Sequence, residues 1–291
     1  STLHAEARWL AGNPNILLRL HGNWLEASAR LNVPKNLGTP GLPNSRLVAN
    51  AGPAIVRVTH TPVLPAANQD ARVSAYISDE DRVALVRLNY RIDPSTNVQQ
   101  VLMDYNGSGY YSAIVPGQPA GTNVAFWINA VDTIGANTRF PNDAPARECV
   151  IRFGEVQPAG DYGTYHLWLT QSNITYWTKR PASSNKGIDA TFAYNNDLVV
   201  YNMQTLFSGS PFHWSVYDGP LVNDANYLMH FPNDDLFLGN TDFVLNEPGN
   251  AGSREPTSIH EQLFYWMLNE LGMPYTYRRF MNLTINGQRR N

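Results

Sequence analysis

Seven short segments of alternating apolar and polar residues constrain the fold of residues 54–153 more than any other feature of the sequence. They are residues 54–60, 72–78, 83–91, 98–105, 110–115, 122–131 and 147–153. Turn-forming runs such as Asn106-Gly107-Ser108-Gly109 and Pro116-Gly117 stand between them. Strands at this spacing indicate an immunoglobulin- or fibronectin-like β-sandwich.

The alternation also predicts which side chains form the core, because successive residues of a strand point to opposite faces of its sheet. The positions expected to face inward are Val73, Ala75, Ile77, Cys149, Ile151 and Phe153. Cys149 is the only cysteine, so no intrachain disulfide can form. We interpret it as a buried core thiol rather than a nucleophile.

Residues 154–256 are more irregular, with aromatic strand candidates at residues 164–169, 191–194, 198–201 and 227–231. A helical period follows. The apolar residues Ile259, Leu263, Trp266, Met267 and Leu271 recur at three- and four-residue spacing. This spacing predicts a helix that packs one apolar face on a core and ends at Gly272. The sequence therefore predicts an antiparallel sheet covered by one helix.

A strand and a hairpin turn follow the predicted helix. Alternation over residues 277–285 predicts the strand, and Asn286-Gly287 favours a two-residue hairpin turn. Only four residues follow that turn, barely enough to begin a partner strand. We therefore expect this chain to be a piece of a longer protein.

The end of the chain resembles the spore-coat-type CotH kinase family. The resemblance lies in the Leu271-Gly272-Met273-Pro274 turn, the strand with Arg278-Arg279, and the Asn286-Gly287 turn followed by Arg289-Arg290. Residues 152–171 and 231–239 also resemble the amino-terminal part of that family. The similarity covers residues 53–291 and is greatest to large secreted bacterial members with an immunoglobulin-like domain. Asn291 departs from the glycine expected there.

This resemblance implies a division into three regions. Residues 1–52 would be the remnant of a preceding β domain plus a linker, and residues 53–152 the immunoglobulin-like sandwich. Residues 153–291 would be an incomplete α+β segment resembling a kinase amino-terminal lobe. The expected fold class is mainly β.

The resemblance further implies that the full-length protein is an ATP- and Mg²⁺-dependent kinase of extracellular proteins. Its magnesium-binding and catalytic carboxylates would follow the Asn286-Gly287 turn. We therefore expect this segment to be non-catalytic and to hold no cofactor itself, and we assign no catalytic residue. The alternative is a structural, adhesive or glycan-binding extracellular module.

Charge and composition limit the partners. Charged residues make up 15% of the chain, the net charge is -3, and there are only three lysines. Nucleic acid is excluded as an expected partner, because phosphate binding needs clustered basic residues. No apolar run is long enough to span a membrane. Abundant Pro and Gly favour a secreted or cell-surface protein that contacts extracellular protein or glycan, with assembly with other chains as a further option.

Glu261 has two interpretations. By resemblance it occupies the place of the glutamate that orients a phosphate-binding lysine in a kinase. However, no lysine follows Lys186. The favoured alternative is that Glu261 forms a capping box with Ser258 at the start of the helix.

Two further groups are candidates for binding. The rings of Trp168, Trp177 and Trp214 would stack on a sugar or contact a protein partner if exposed, although core roles are favoured. Asp234 and Asp235, with two other nearby aspartates, would offer the oxygen ligands that Ca²⁺ takes. Because the spacing matches no calcium loop, a solvated turn is the favoured alternative.

Overall fold

The structure, a computed structural model, describes residues 48–180, 184–208, 219–221, 226–246 and 259–290. Nearly all of the predicted leading region, residues 1–52, lies outside this part. Within the described residues the chain forms sixteen strands and two helices. The predicted mainly β fold class is therefore confirmed.

Nine strands form two antiparallel sheets that face each other. They are β1 (Ala54–Thr61), β2 (Ala71–Ser78), β3 (Val83–Ile92), β4 (Gln99–Leu102), β5 (Asp104–Gly107), β6 (Tyr110–Val115), β7 (Asn123–Asp132), β8 (Asn137–Phe140) and β9 (Cys149–Arg152). The first sheet has the order β1-β2-β6-β5 and the second β4-β3-β7-β8, with β9 also paired to β7. This order agrees with the predicted sandwich.

The six side chains predicted to face inward all lie in the sandwich core, and each is 2% exposed or less. Leu88, Phe126 and Ile128 of the second sheet belong to the same core. Cys149 is a free, fully buried thiol, and burial raises its pKa well above the ordinary value. The interpretation of Cys149 as a core residue is confirmed.

The prediction of one strand over residues 98–105 is wrong. The chain changes sheets at Met103, so that β4 pairs with β3 and β5 pairs with β6. Met103 is buried at the crossing, and its backbone N–H donates to the Val86 carbonyl at 3.0 Å. Alternation alone does not reveal this change, because apolar residues continue through it.

A third sheet of seven strands follows the sandwich. Its strands are β10 (Thr164–Trp168), β11 (Ile188–Tyr194), β12 (Leu198–Phe207), β13 (Tyr227–His230), β14 (Asp242–Leu245), β15 (Asn282–Ile285) and β16 (Gln288–Arg290). The order is β14-β13-β12-β11-β10-β15-β16. Because β10 and β15 are parallel, the prediction of a purely antiparallel sheet is wrong.

The central strands of this third sheet are buried on both faces. Tyr165, Leu167 and Phe192 point to one core of their own. Trp168, Ala193 and Tyr201 point the other way and join the core of the sandwich. Strands with two covered faces carry nearly continuous apolar runs, which explains the aromatic character of this region.

The helix that covers the third sheet is α1 (Gln171–Lys179), which the sequence analysis did not predict. It buries Ile174 and Trp177 in the sheet's own core. The Thr170 hydroxyl caps it by accepting from the Asn173 N–H at 3.3 Å. Its β-branched and aromatic residues have low helix propensity, so local sequence gave little indication of a helix.

The predicted helix near the end of the chain is α2 (Ile259–Glu270), but its expected packing is wrong. None of its residues is buried. Ile259 and Trp266 are each 57% exposed, and Leu263 and Met267 are about half exposed. Amphipathic spacing predicts that an apolar face exists, and no described element covers that face.

The hairpin predicted at Asn286-Gly287 is confirmed. Both residues have positive φ, 46° and 79°, as a type I′ turn requires. The strand before it is shorter than predicted and begins at Asn282 rather than at residue 277. Asn282 pairs with Thr164, the first residue of β10, so the residues before it have no strand to pair with.

Candidate functional site

Two of the three candidate tryptophans are core residues. Trp168 is fully buried between the third sheet and the sandwich, where its ring centroid is 6.0 Å from that of His60. Trp177 is 1% exposed, and its ring centroid is 4.8 Å from that of Phe207. Neither ring offers a face to a sugar in this structure. Trp214 lies outside the described residues.

Glu261 forms an ion pair rather than standing free. Its carboxylate lies 2.7 Å from Nη1 of Arg278, and the Arg278 guanidinium in turn lies 4.6 Å from the centroid of the Tyr265 ring. This pair ties the first turn of α2 to the segment that follows the helix. Ser258, the expected capping partner, is outside the described residues. The capping interpretation therefore stays a prediction.

Asp234 and Asp235 lie in the turn between β13 and β14, where the Asp235 N–H donates to the Pro232 carbonyl at 3.1 Å. Both side chains reach solvent. Partial desolvation, with the neighbouring Asp234 charge, raises the pKa of the Asp235 carboxyl to about 6. Among the described residues, these two aspartates join no group of three potential metal ligands.

The acidic residues that the described structure does bring together are Asp79, Asp81 and Asp132, on two turns of the sandwich. Asp132 accepts hydrogen bonds from Asn50 Nδ2 at 2.6 Å and from the backbone N–H groups of Ile134 and Ala136. Hydrogen bonds from the distant Asn50 and from the turn that follows β7 therefore occupy both oxygens of Asp132.

A buried polar cluster that the sequence did not predict lies between the sandwich and the third sheet. His166 Nδ1 lies 3.1 Å from Glu155 Oε1 and 2.8 Å from Thr284 Oγ1. The second Glu155 oxygen lies 2.6 Å from Arg152 Nε, and the Thr284 hydroxyl donates to Oε1 at 2.9 Å. The parallel pairing of β10 with β15 places His166 opposite Thr284.

Burial decides what this cluster can do. The side chains of His166 and Glu155 are 0% and 1% exposed. Burial alone would raise the pKa of Glu155, but hydrogen bonds from His166 and Thr284 and the charge of Arg152 lower it below its ordinary value. A carboxylate, a histidine and a hydroxyl out of reach of a substrate hold elements together.

The exposed candidates lie around α2. Leu271, Met273, Tyr275 and Tyr277 extend the apolar face beyond the helix end. Arg279 anchors this segment, since its guanidinium lies 5.9 Å and 5.5 Å from the ring centroids of Tyr165 and Tyr194. We call the exposed apolar side chains of α2, together with those of Leu271, Met273, Tyr275 and Tyr277, the α2 face. It is the largest group of exposed apolar side chains near the predicted site residues.

Replacement of Trp266 by alanine should change the free energy of unfolding by no more than about 0.5 kcal/mol, because exposed side chains contribute little to stability. Urea unfolding followed by circular dichroism measures this. Trp177→Ala is the matched control, and it should cost about 3 kcal/mol because Trp177 is buried. A loss above about 2 kcal/mol for Trp266→Ala would mean that the α2 face is covered in solution.

No model of a known protein family matches the chain, and no curated protein matches it. Among solved structures, the chain is similar to the cycloalternan-degrading enzyme from Trueperella pyogenes, with 12% identity and a TM-score of 0.25. That likeness covers 52% of this chain and 18% of the enzyme. It is too low to support an argument about fold or activity. Neither described helix is long and apolar enough to cross a membrane.

Proposed function

We propose that the chain is a non-catalytic segment of a CotH-like bacterial protein, secreted or at the cell surface, whose complete form phosphorylates extracellular proteins. ATP and Mg²⁺ would be bound by the complete protein. The observation that carries the proposal is the exposed apolar side of α2, directly before the β15–β16 hairpin. An apolar helix face of this kind is suited to cover, or be covered by, a further part of the protein.

The ion pair between Glu261 and Arg278 adds support. A kinase amino-terminal lobe needs a glutamate on its helix and a basic residue as that glutamate's partner. No lysine follows Lys186, so arginine is the basic residue that this part of the sequence offers. The 2.7 Å contact meets the need for a partner without assigning a phosphate-binding role to either residue.

Phosphoryl transfer tests the proposal. Residues 1–291, incubated with radiolabelled ATP, Mg²⁺ and casein, should transfer no phosphate above the level of a protein-free control. The protein isolated from its source should have an intact mass well above the 32.5 kDa of this chain and should transfer phosphate. Transfer by residues 1–291 alone, or an inactive source protein, would overturn the proposal.

A second candidate is a structural or adhesive extracellular module. It is favoured by exposed aromatic rings such as Tyr105 on β5, which is 61% exposed, and Tyr277 in the segment after α2, which is 72% exposed. Such rings bind protein or glycan without any catalytic carboxylate. A source protein that adheres to a surface but transfers no phosphate would favour this candidate over the first.

A further inference from the structure

The outer face of the first sheet carries two tyrosines side by side. Tyr76 on β2 and Tyr110 on β6 are directly opposite each other in register. Their ring centroids are 5.4 Å apart in an edge-to-face arrangement. Tyr110 is 36% exposed, whereas the inward residues of β2 are all buried. The pair therefore forms an aromatic platform on the surface of the sandwich.

Arg57 is held over this platform by an irregular backbone. The register of β1 and β2 shifts between Val56 and Thr59, and Arg57 within that bulge has φ 52°. A left-handed conformation is unfavourable for a residue with a Cβ, and bulges commonly redirect a side chain. Here the guanidinium lies 5.8 Å from the Tyr76 ring centroid and donates to the Tyr110 hydroxyl at 3.1 Å.

A second polar group lies further along the same face. Arg72 Nη1 and Asn106 Nδ2 both donate to the Ser112 hydroxyl oxygen, at 3.1 Å and 2.6 Å. Arg72 is four residues before Tyr76 on one strand, so the two side chains start about 13 Å apart. Tyrosine rings and amide and guanidinium donors thus lie along the same face of the sheet.

The two arginines of this face form no ion pair within the described residues, although the exposed Asp104 lies on the same face, opposite Ser112. No carboxylate of the described residues lies within 4.0 Å of the Arg57 or Arg72 guanidinium, whereas Arg91, Arg147 and Arg152 all have such partners. Arginine is the side chain best suited to bind a carboxylate through two parallel hydrogen bonds. Two arginines without an ion-pair partner, beside the exposed Tyr110 ring, therefore favour an anionic ligand that also has an apolar face.

We propose that this surface binds an acidic polysaccharide built from uronic acid units. The C–H face of a pyranose ring would pack on the exposed Tyr110 ring, and carboxylates elsewhere on the same polysaccharide would bind Arg57 and Arg72. Asn106 would bond to sugar hydroxyls. The inference rests on the adhesive candidate for function and uses none of the kinase-like features, so phosphoryl transfer and polysaccharide binding can fail separately.

Affinity electrophoresis in native gels containing polygalacturonate tests this. The chain should be retarded by polygalacturonate and not by the neutral polymer dextran, and added salt should weaken the retardation. Arg57→Gln and Arg72→Gln should each weaken binding about tenfold, the loss expected for one hydrogen bond to a charged group. Because the net charge is -3, general attraction to a polyanion is not expected.

Arg87→Gln is the matched control, because Arg87 is an exposed arginine on the other sheet of the sandwich. It should bind like the unchanged protein. Tyr110→Ala should lose retardation while keeping the circular dichroism spectrum of the unchanged protein. Equal retardation by dextran, equal losses in Arg87→Gln, or unchanged binding after both arginine substitutions would overturn the proposal. So would retention of a protein partner with no retardation by polygalacturonate.

Discussion

Replacement of Glu155 by alanine is expected to lower the free energy of unfolding by about 3 to 5 kcal/mol, the cost of breaking a buried ion pair. The Glu155 carboxylate accepts from Arg152, His166 and Thr284, and its side chain is only 1% exposed. Without this carboxylate, the mostly buried guanidinium of Arg152 and the buried imidazole of His166 lose a hydrogen-bond acceptor. Urea unfolding at neutral pH measures the loss.

Glu80→Ala is the control, because Glu80 is an exposed carboxylate and should change stability little. The pH dependence adds a second readout. Since folding lowers the pKa of Glu155, its contribution is present above the ordinary value of 4.5 and is lost as pH falls through the lower folded value. The difference in free energy of unfolding between the unchanged protein and the Glu155→Gln variant should therefore become smaller below about pH 4.5. A difference that grows on acidification would contradict the cluster described above.

Replacement of Trp168 by alanine is expected to cost about 3 to 5 kcal/mol, as for other buried aromatic residues. The ring is fully buried where the third sheet meets the sandwich, between His60 and His166. Removing it leaves a cavity in a core that both parts of the chain share. The loss should appear in urea unfolding as a lower midpoint.

Trp168→Phe should lose less than half as much, because a phenylalanine ring fills most of the volume. Tryptophan fluorescence and circular dichroism should also report one common transition in the unchanged protein if the shared core couples the two parts. A small loss in Trp168→Ala, similar to that expected for Trp266→Ala, would show that the third sheet does not pack on the sandwich in solution.

Strands that bury only one face could be predicted from the sequence. In β2, Val73, Ala75 and Ile77 alternate with polar residues because one face meets the core and the other meets water. The turn at Asn286-Gly287 was equally readable, since few dipeptides accept two positive φ angles. Each of these predictions depends only on residues close together in the chain.

Features that depend on contacts between residues far apart in the sequence could not be predicted. Glu155 meets His166 and Thr284 only because β15 lies beside β10 in one register, and 118 residues separate His166 from Thr284. Likewise, the Tyr76–Tyr110 platform follows from the pairing of β2 with β6. The helix α1 was missed for another reason, because packing of Ile174 and Trp177 outweighs its weak propensity.

The wall formed by β10, β11 and β12 belongs to two cores at once. His60 and Phe126 of the sandwich are covered by Trp168 and Tyr201 of that wall. A sandwich transferred to another protein by gene recombination without these strands would carry an uncovered apolar side. The sandwich and the third sheet are therefore suited to be inherited together. This evolutionary unit is larger than the sandwich that the strand pattern of the sequence predicts.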